Sequence, residues 1–217
     1  MNMAGEIRKG RKYDQVLEGA RIVFMRDGFE GASVDEIARA AAVSKATLYS
    51  YFTDKRLLFS EVARVECNRQ AQEALDVIDT DGPIRQVLHA AADRLVRFFL
   101  SEFGQQVYRI CVAESHRFPE LGRRFYESGP ALLRKRLHTI LSGAAARGDL
   151  NIADMDLAAS QFGELCKSDL FMRRLCGVAG EIPETEIERV THGVVDMFLA
   201  RYGVPQAGGA PAADAGI

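Results

Sequence analysis

Residues 44–52 read SKATLYSYF. Wound into a helix, this stretch turns Leu48 and Phe52 inward and leaves Lys45, Ala46, Thr47, Tyr49, Ser50 and Tyr51 outward. Hydroxyl groups and a cation bind phosphate oxygens and base edges, and a methyl group such as that of Ala46 fits against thymine. The chemistry on offer is therefore recognition of double-stranded DNA, not bond making. Catalytic patterns are missing from the sequence: there is no G-x-S-x-G, G-x-G-x-x-G, Walker-type loop or H-E-x-x-H. None of His89, His116, His138 and His192 has a glutamate three residues before it, so a di-iron bundle pattern is also missing. No cofactor is called for, and the chain is not expected to be an enzyme.

A reading helix needs a partner that holds it. Ser33-Val34-Asp35-Glu36 fits a capping box and opens a helix over 33–40 whose buried face is Val34, Ile37, Ala38 and Ala41. Ser44 is an N-cap for the next helix, 45–52. Two short helices on a tight turn make a helix-turn-helix, and eight residues span about 12 Å, the width of a major groove. Small Ala38 lets the two helices approach. Before them, Val16, Leu17, Ala20, Val23 and Phe24 recur at helical spacing up to a stop at Asp27-Gly28. After them, Thr53-Asp54 opens a fourth helix running to about Ile78, with Leu58, Val62 and Val65 on one face.

The 217 residues are 47% hydrophobic and 27% charged, and Ala, Leu, Arg and Glu outnumber Val, Ile and Thr by more than two to one. That composition predicts an all-α fold. All six prolines lie after residue 82. Five more helices follow from caps and breakers, over 83–103, 105–117, 119–147, 154–176 and 184–202, with a kink expected at Gly129-Pro130. The total is about nine. Residues 1–56 form a DNA-binding domain and 57–204 an effector-binding and dimerisation domain, while 205–217 read as a disordered tail.

No apolar run approaches membrane-spanning length. Cys67, Cys111, Cys166 and Cys176 show no close-pair spacing, which suits reduced thiols in a cytoplasm and no metal site. The net charge of −2 argues against general stickiness toward nucleic acid. Yet residues 1–56 carry ten basic against eight acidic side chains. Arg11 and Lys12, in the basic arm before the first helix, and Lys55, just after the third, stand where they could sit over phosphates.

Residues 13–62 resemble the DNA-binding domain of TetR-family transcription regulators, through GFEGASVDEIARAA, VSKATLYSYF and DKRLLF in order and without gaps. HRFPELGRRFYESGPALLRKRL and AAARGDL resemble the ligand-binding domain of an AefR-like subgroup. The resemblance implies that Ser33 holds a phosphate, that Ser44, Lys45, Ala46 and Thr47 face bases and phosphates, that Tyr49 and Tyr51 reach backbone and base edges, and that Lys55 clamps a phosphate. Two departures stand out: Ala42 and Ala46 replace the family's usual glycines. Ala42 sits in the turn, where a left-handed backbone costs alanine about 1 kcal/mol.

The resemblance also implies a pocket among the middle helices and a homodimer through the last two long ones. The aromatic-rich candidates for the pocket are Phe98, Phe99, Tyr108, Cys111, Phe118, Tyr126 and Phe162. Apolar residues along 154–176 and 184–202 suit a four-helix dimer bundle. The expected function is a repressor on a roughly palindromic operator, released by a small, largely apolar ligand. An activator, a ligand-independent regulator, or a helical carrier without DNA binding are the alternatives.

Overall fold

The computed structural model describes residues 10–75 and 80–205. Their regular structure is eleven helices: α1 (Arg11–Gly31), α2 (Val34–Ala40), α3 (Lys45–Tyr51), α4 (Lys55–Leu75), α5 (Ile84–Leu100), α6 (Glu102–Glu114), α7 (Pro119–Ser128), α8 (Pro130–Ala146), α9 (Met155–Leu165), α10 (Ser168–Leu175) and α11 (Glu184–Tyr202). One isolated antiparallel bridge joins Leu150 to Gly203. The tail expected over 206–217, and the end of the fourth helix near Ile78, lie outside the described residues.

Eleven helices replace the expected nine because two long segments are broken. The break at Gly129-Pro130 is the one signalled by sequence. The other falls after Cys166, where Ser168 takes a φ of 31° and its hydroxyl donates to the Leu165 carbonyl at 2.6 Å. A serine side chain that bonds backward in this way competes with the helix ladder. Ser101 moves a third boundary: it donates to Phe98 O at 2.7 Å and accepts from Gly104 N at 3.0 Å, closing α5 and opening α6. The expected stop in α1 is real, for Gly28 sits at φ 70°, although one further helical turn follows it.

Ser33 caps α2 by accepting from Glu36 N at 3.2 Å. The capping box is only half formed, because the Glu36 carboxylate accepts the Ser33 hydroxyl at 2.8 Å rather than the Ser33 amide. Val16, Ala20, Val23 and Phe24 of α1 close a core with Ile37, Ala38, Leu48, Phe52, Leu58, Phe59 and Val62. The close approach rests on Gly19: a Cβ there would lie 2.5 Å from the backbone nitrogen of Ala41. In the turn, Ala42 adopts φ 51°, the strained left-handed backbone expected there, and Val43 N returns to Ala38 O at 3.0 Å.

This core does not stop where the fourth helix begins. Phe103, Val107 and Cys111 of α6 and Leu121 of α7 belong to it. A second core gathers α5, α8, α9 and α11 around Leu88, Ala92, Leu141, Phe162 and Phe198. The α6–α7 hairpin thus packs with the N-terminal helices.

Ala42→Gly is expected to stabilise the protein by about 0.5–1 kcal/mol, the αL penalty less glycine's entropy cost. In calorimetry that raises Tm by about 1–4 °C. Gly19→Ala drives a methyl into backbone and is expected to lose about 2 kcal/mol or more. An unchanged Tm in that variant would contradict the close approach of α1 and α2.

Candidate nucleic-acid interface

The seven residues of α3 span about 10 Å, short enough to enter a major groove. Its first turn is pinned by Ser44, whose Oγ accepts from Thr47 N at 3.0 Å and lies 2.9 Å from Thr47 Oγ1. Leu48 is buried beneath it. Ser44, Lys45, Ala46, Tyr49 and Ser50 are exposed and Thr47 is half-exposed. The Ser50 hydroxyl donates to Thr47 O at 2.6 Å, so only its oxygen lone pairs face outward. Lys45 forms an ion pair with Asp35 of α2 on the surface. Ser33 is exposed at the head of α2.

Two expected DNA contacts have other duties. Tyr51 is half-buried and meets Tyr13 edge-on, ring centroids 5.7 Å apart. It belongs to the packing under α3 and is not an outward reader of bases. Lys55 is not a free cation: its Nζ donates to Phe29 O at 2.8 Å and Ala32 O at 3.0 Å and lies 4.4 Å from the Phe29 ring centroid. It fastens the α1–α2 connection to the start of α4. An ammonium has three N–H donors, so one remains for a phosphate. Arg11 and Lys12 are exposed in the first turn of α1. Two residues on, Tyr13 packs on Tyr51 and stacks on Phe52 at 5.6 Å, so these cations start the helix that supports the end of α3.

Sequence spacing missed what lies below. The Tyr13 hydroxyl donates to Glu61 Oε1 at 2.6 Å, and both residues are buried. Glu61 also accepts from Arg64, at 2.9 Å from Nε and 2.7 Å from Nη2. Burial first, and then the neighbouring carboxylate, hold the Tyr13 phenol above its ordinary range, so it remains a donor. A tyrosine opening a helix and an Arg-Glu pair forty-eight residues later carry no local signal.

The seven pocket candidates do not converge. Phe98, Phe99 and Tyr108 do meet, together with Phe171 and Phe125: Phe99 and Tyr108 lie 6.0 and 4.9 Å from Phe171, edge-on. Lys167 Nζ is 5.5 Å from the Phe99 ring. Buried Gln105 donates to Phe99 O at 2.6 Å and leaves its Oε1 without a hydrogen bond. Cys111 belongs instead to the N-terminal core, and Phe118 caps α7 with Arg56 4.3 Å over its ring. Tyr126 is exposed beside Arg134, and Phe162 is fully buried against Phe198 at 5.1 Å. Burial pushes the thiols of Cys67, Cys111 and Cys166 up to about 12, which leaves them protonated and unreactive.

The apolar residues along 154–176 and 184–202, expected to suit a dimer bundle, divide into buried and exposed ones. Ala158, Phe162, Cys166, Leu170, Phe171, Ile187, Val190, Val194 and Phe198 are all buried within the chain. Leu157, Met172 and Met197 remain at 51%, 52% and 62% exposure, and Gly193, one turn before Met197, faces open space. No helix among the described residues is long and apolar enough to cross a membrane.

Comparison with known proteins agrees with this geometry. Residues 16–62 match the bacterial regulatory proteins of the tetR family, and residues 86–204 match the AefR-like transcriptional repressor C-terminal domain. The structure is similar to a chain from Mesorhizobium loti described as a TetR-family transcriptional regulator, at 30% identity and a TM-score of 0.79, covering 92% of this chain and 100% of that one. The flavonoid-responsive regulator FrrA shows 36% identity and a TM-score of 0.71 over the same shares. The repressor AcnR of Corynebacterium glutamicum is 33% identical over 72 residues, 33% of this chain and only 38% of its own length. The activator FasR of Mycolicibacterium smegmatis is 32% identical over 113 residues, 49% of this chain and 51% of its own. A helix-turn-helix with an exposed, capped second helix, joined to an AefR-like C-terminal half, places the chain in the TetR family of DNA-binding transcriptional regulators.

Proposed function

We propose that the chain is a homodimeric repressor that leaves a roughly palindromic operator when a small, largely apolar molecule binds its C-terminal half. The observation that carries this is the exposed row from Ser44 to Ser50 on α3, a helix held by its cap and by Leu48. Ser44, Lys45, Ala46, Thr47, Tyr49 and Ser50 face the groove. Ser33, Arg11, Lys12 and the third N–H of Lys55 take phosphates, and Tyr51 positions the helix. Two recognition helices about 34 Å apart then read successive major grooves.

The effector is assigned to the aromatic cluster of Phe98, Phe99, Tyr108 and Phe171. Edge-on aromatic rings suit an apolar molecule, and the unpaired Gln105 Oε1 suits a hydroxyl donor on it. The name of FrrA, responsive to flavonoids, supports the same chemistry. Dimerisation is assigned to the surface of α9–α11 carrying Leu157, Met172, Gly193 and Met197. The similarity to FasR favours activation as the second reading.

Footprinting on DNA upstream of the chain's own gene tests the proposal. Paired protected half-sites are expected, with protection lost on adding a flavonoid. No protection on any DNA would overturn it in favour of a carrier.

Lys45→Ala is expected to weaken binding on all sequences alike and to reduce the salt slope by about one, with Tm unchanged. Lys55→Ala should lower both DNA affinity and Tm, because it also unties two carbonyls; an affinity loss at constant Tm would contradict that tie. Met197→Asp puts a charge on the dimer face, and sedimentation should then show a monomer of 23.9 kDa. A dimer that persists in this variant would move the interface elsewhere.

A further inference from the structure

The seam between α5 and α11 is built in antiparallel rungs. Residues four apart are neighbours on a helix, so Arg85, His89, Asp93 and Arg97 form a stripe on α5 and Glu184, Glu188, His192 and Asp196 a stripe on α11. Three rungs across the seam are direct contacts. Arg85 Nη1 donates to Asp196 Oδ1 at 2.6 Å, the rings of His89 and His192 lie 4.7 Å apart between centroids, and Arg97 Nη1 donates to Glu184 Oε2 at 3.0 Å. The outer rungs pair opposite charges, whereas the middle one pairs like with like. Neither histidine ring hydrogen-bonds to another protein group among the described residues. His192 is exposed and His89 half-buried, so solvent reaches the pair. The helices beneath are firmly placed: Leu88 and Ala92 of α5 and Val194 and Val195 of α11 are buried in one core.

An imidazole nitrogen with a free lone pair suits Zn²⁺, Ni²⁺ or Cu²⁺, while Mg²⁺ and Ca²⁺ take oxygen ligands. A metal about 2.0–2.1 Å from an imidazole nitrogen stands about 3.2 Å from the ring centre, so two imidazoles on one metal at about 90–110° have centres about 4.5–5.2 Å apart. The 4.7 Å between His89 and His192 falls inside that window. The rings are tilted by 56°, and rotation about their broad terminal torsions brings one nitrogen of each toward a common point. The surroundings favour a cation. Among charged residues three or four positions from either histidine, Asp93, Glu188 and Asp196 outnumber Arg85 and Arg189. We propose that His89 and His192 form a two-imidazole site for a late first-row divalent cation, which fastens α5 to α11. No group of three His, Cys, Asp or Glu side chains suited to a metal occurs among the described residues, so water completes the coordination. The site is distinct from the DNA face and the aromatic cluster. It also lies off the proposed dimer surface: at about 100° per residue, Gly193 and Met197 stand about 100° and 140° around α11 from His192.

The test uses the full chain, free of any affinity tag and stripped with a chelator, titrated with Ni²⁺ and Zn²⁺ and with Mg²⁺ as the control. A calorimetric isotherm with one Ni²⁺ or Zn²⁺ per chain is expected, with a rise in Tm that saturates at the same concentration. Mg²⁺ should give neither. His89→Gln and His192→Gln should each weaken binding at least tenfold and abolish the rise in Tm. Both are expected to keep the metal-free Tm of the wild type, since the rings make no hydrogen bond in the fold. His116→Gln, on the exposed end of α6, should bind as the wild type does. The alternative is a plain ring contact, which allows the same spacing and predicts no binding. No saturable response to Ni²⁺ or Zn²⁺, an equal response to Mg²⁺, or undiminished binding by His192→Gln would overturn the site. These readouts need neither DNA nor effector, so failure of the metal site is distinguishable from failure of the regulator assignment.

Discussion

A helix of seven residues has no stability of its own in water, because the nucleation cost is repaid only over longer stretches. The reading surface of this protein depends on that constraint. What orients α3 is what it sits on: Leu48 and Phe52 in the core, Tyr51 against Tyr13, and the Ser44 cap at its start. Tyr13 in turn is fixed by a buried carboxylate bonded to it and to a guanidinium. Tyr13 therefore supports the end of α3 from below, through Tyr51 and Phe52.

The continuity of the core explains how a distant half of the chain can reach that seat. Phe103, Val107, Cys111 and Leu121 pack with residues of the N-terminal helices. Arg56, at the start of α4, lies 3.4 Å from Glu114 at the end of α6 and stacks over Phe118. A domain boundary drawn at residue 56 therefore separates sequence motifs but not packing. Close-packed interiors transmit displacement instead of absorbing it. A ligand at the site proposed among Phe99, Tyr108 and Phe171 would touch α6 itself, and its leverage would be limited to its differential affinity for the DNA-bound and released states.

Much of this was legible because its causes are local. Ser33 and Ser44 cap their helices, Gly28 and Gly129-Pro130 interrupt theirs, Ala42 bears the strained turn, and the apolar spacing from Val16 to Phe24 marks one buried face. The unreadable features depend on residues far apart in the chain. Lys55 looks like a surface cation until the chain folds and puts carbonyls from twenty-six and twenty-three residues earlier around it. The seven pocket candidates share hydrophobicity, which predicts burial but not the core in which a side chain is buried. The same ambiguity applies to the surface proposed for dimerisation, where exposed Leu157 and Met197 share their helices' apolar spacing with buried residues. Apolar spacing on α9 and α11 marks candidates without separating those buried within the chain, such as Val194 and Phe198, from exposed Met197.

The ion pair between Lys45 and Asp35 bears on selectivity as well as affinity. A surface pair of this kind is worth only about 0–1 kcal/mol, so Lys45 can leave Asp35 for a phosphate with little loss. Asp35 remains, however, within the field of the approaching DNA. In the proposed complex it would lower the electrostatic gain from any phosphate while leaving the base-edge hydrogen bonds assigned to Thr47, Tyr49 and Ser50 intact. Phosphate attraction is blind to sequence and base contacts are not. An acid placed beside the reading helix therefore subtracts more from nonspecific binding, where phosphates supply nearly everything, than from operator binding. The modest positive charge of residues 1–56 and the net −2 of the whole chain are consistent with the same balance: enough attraction to dock, too little to hold where the bases do not fit.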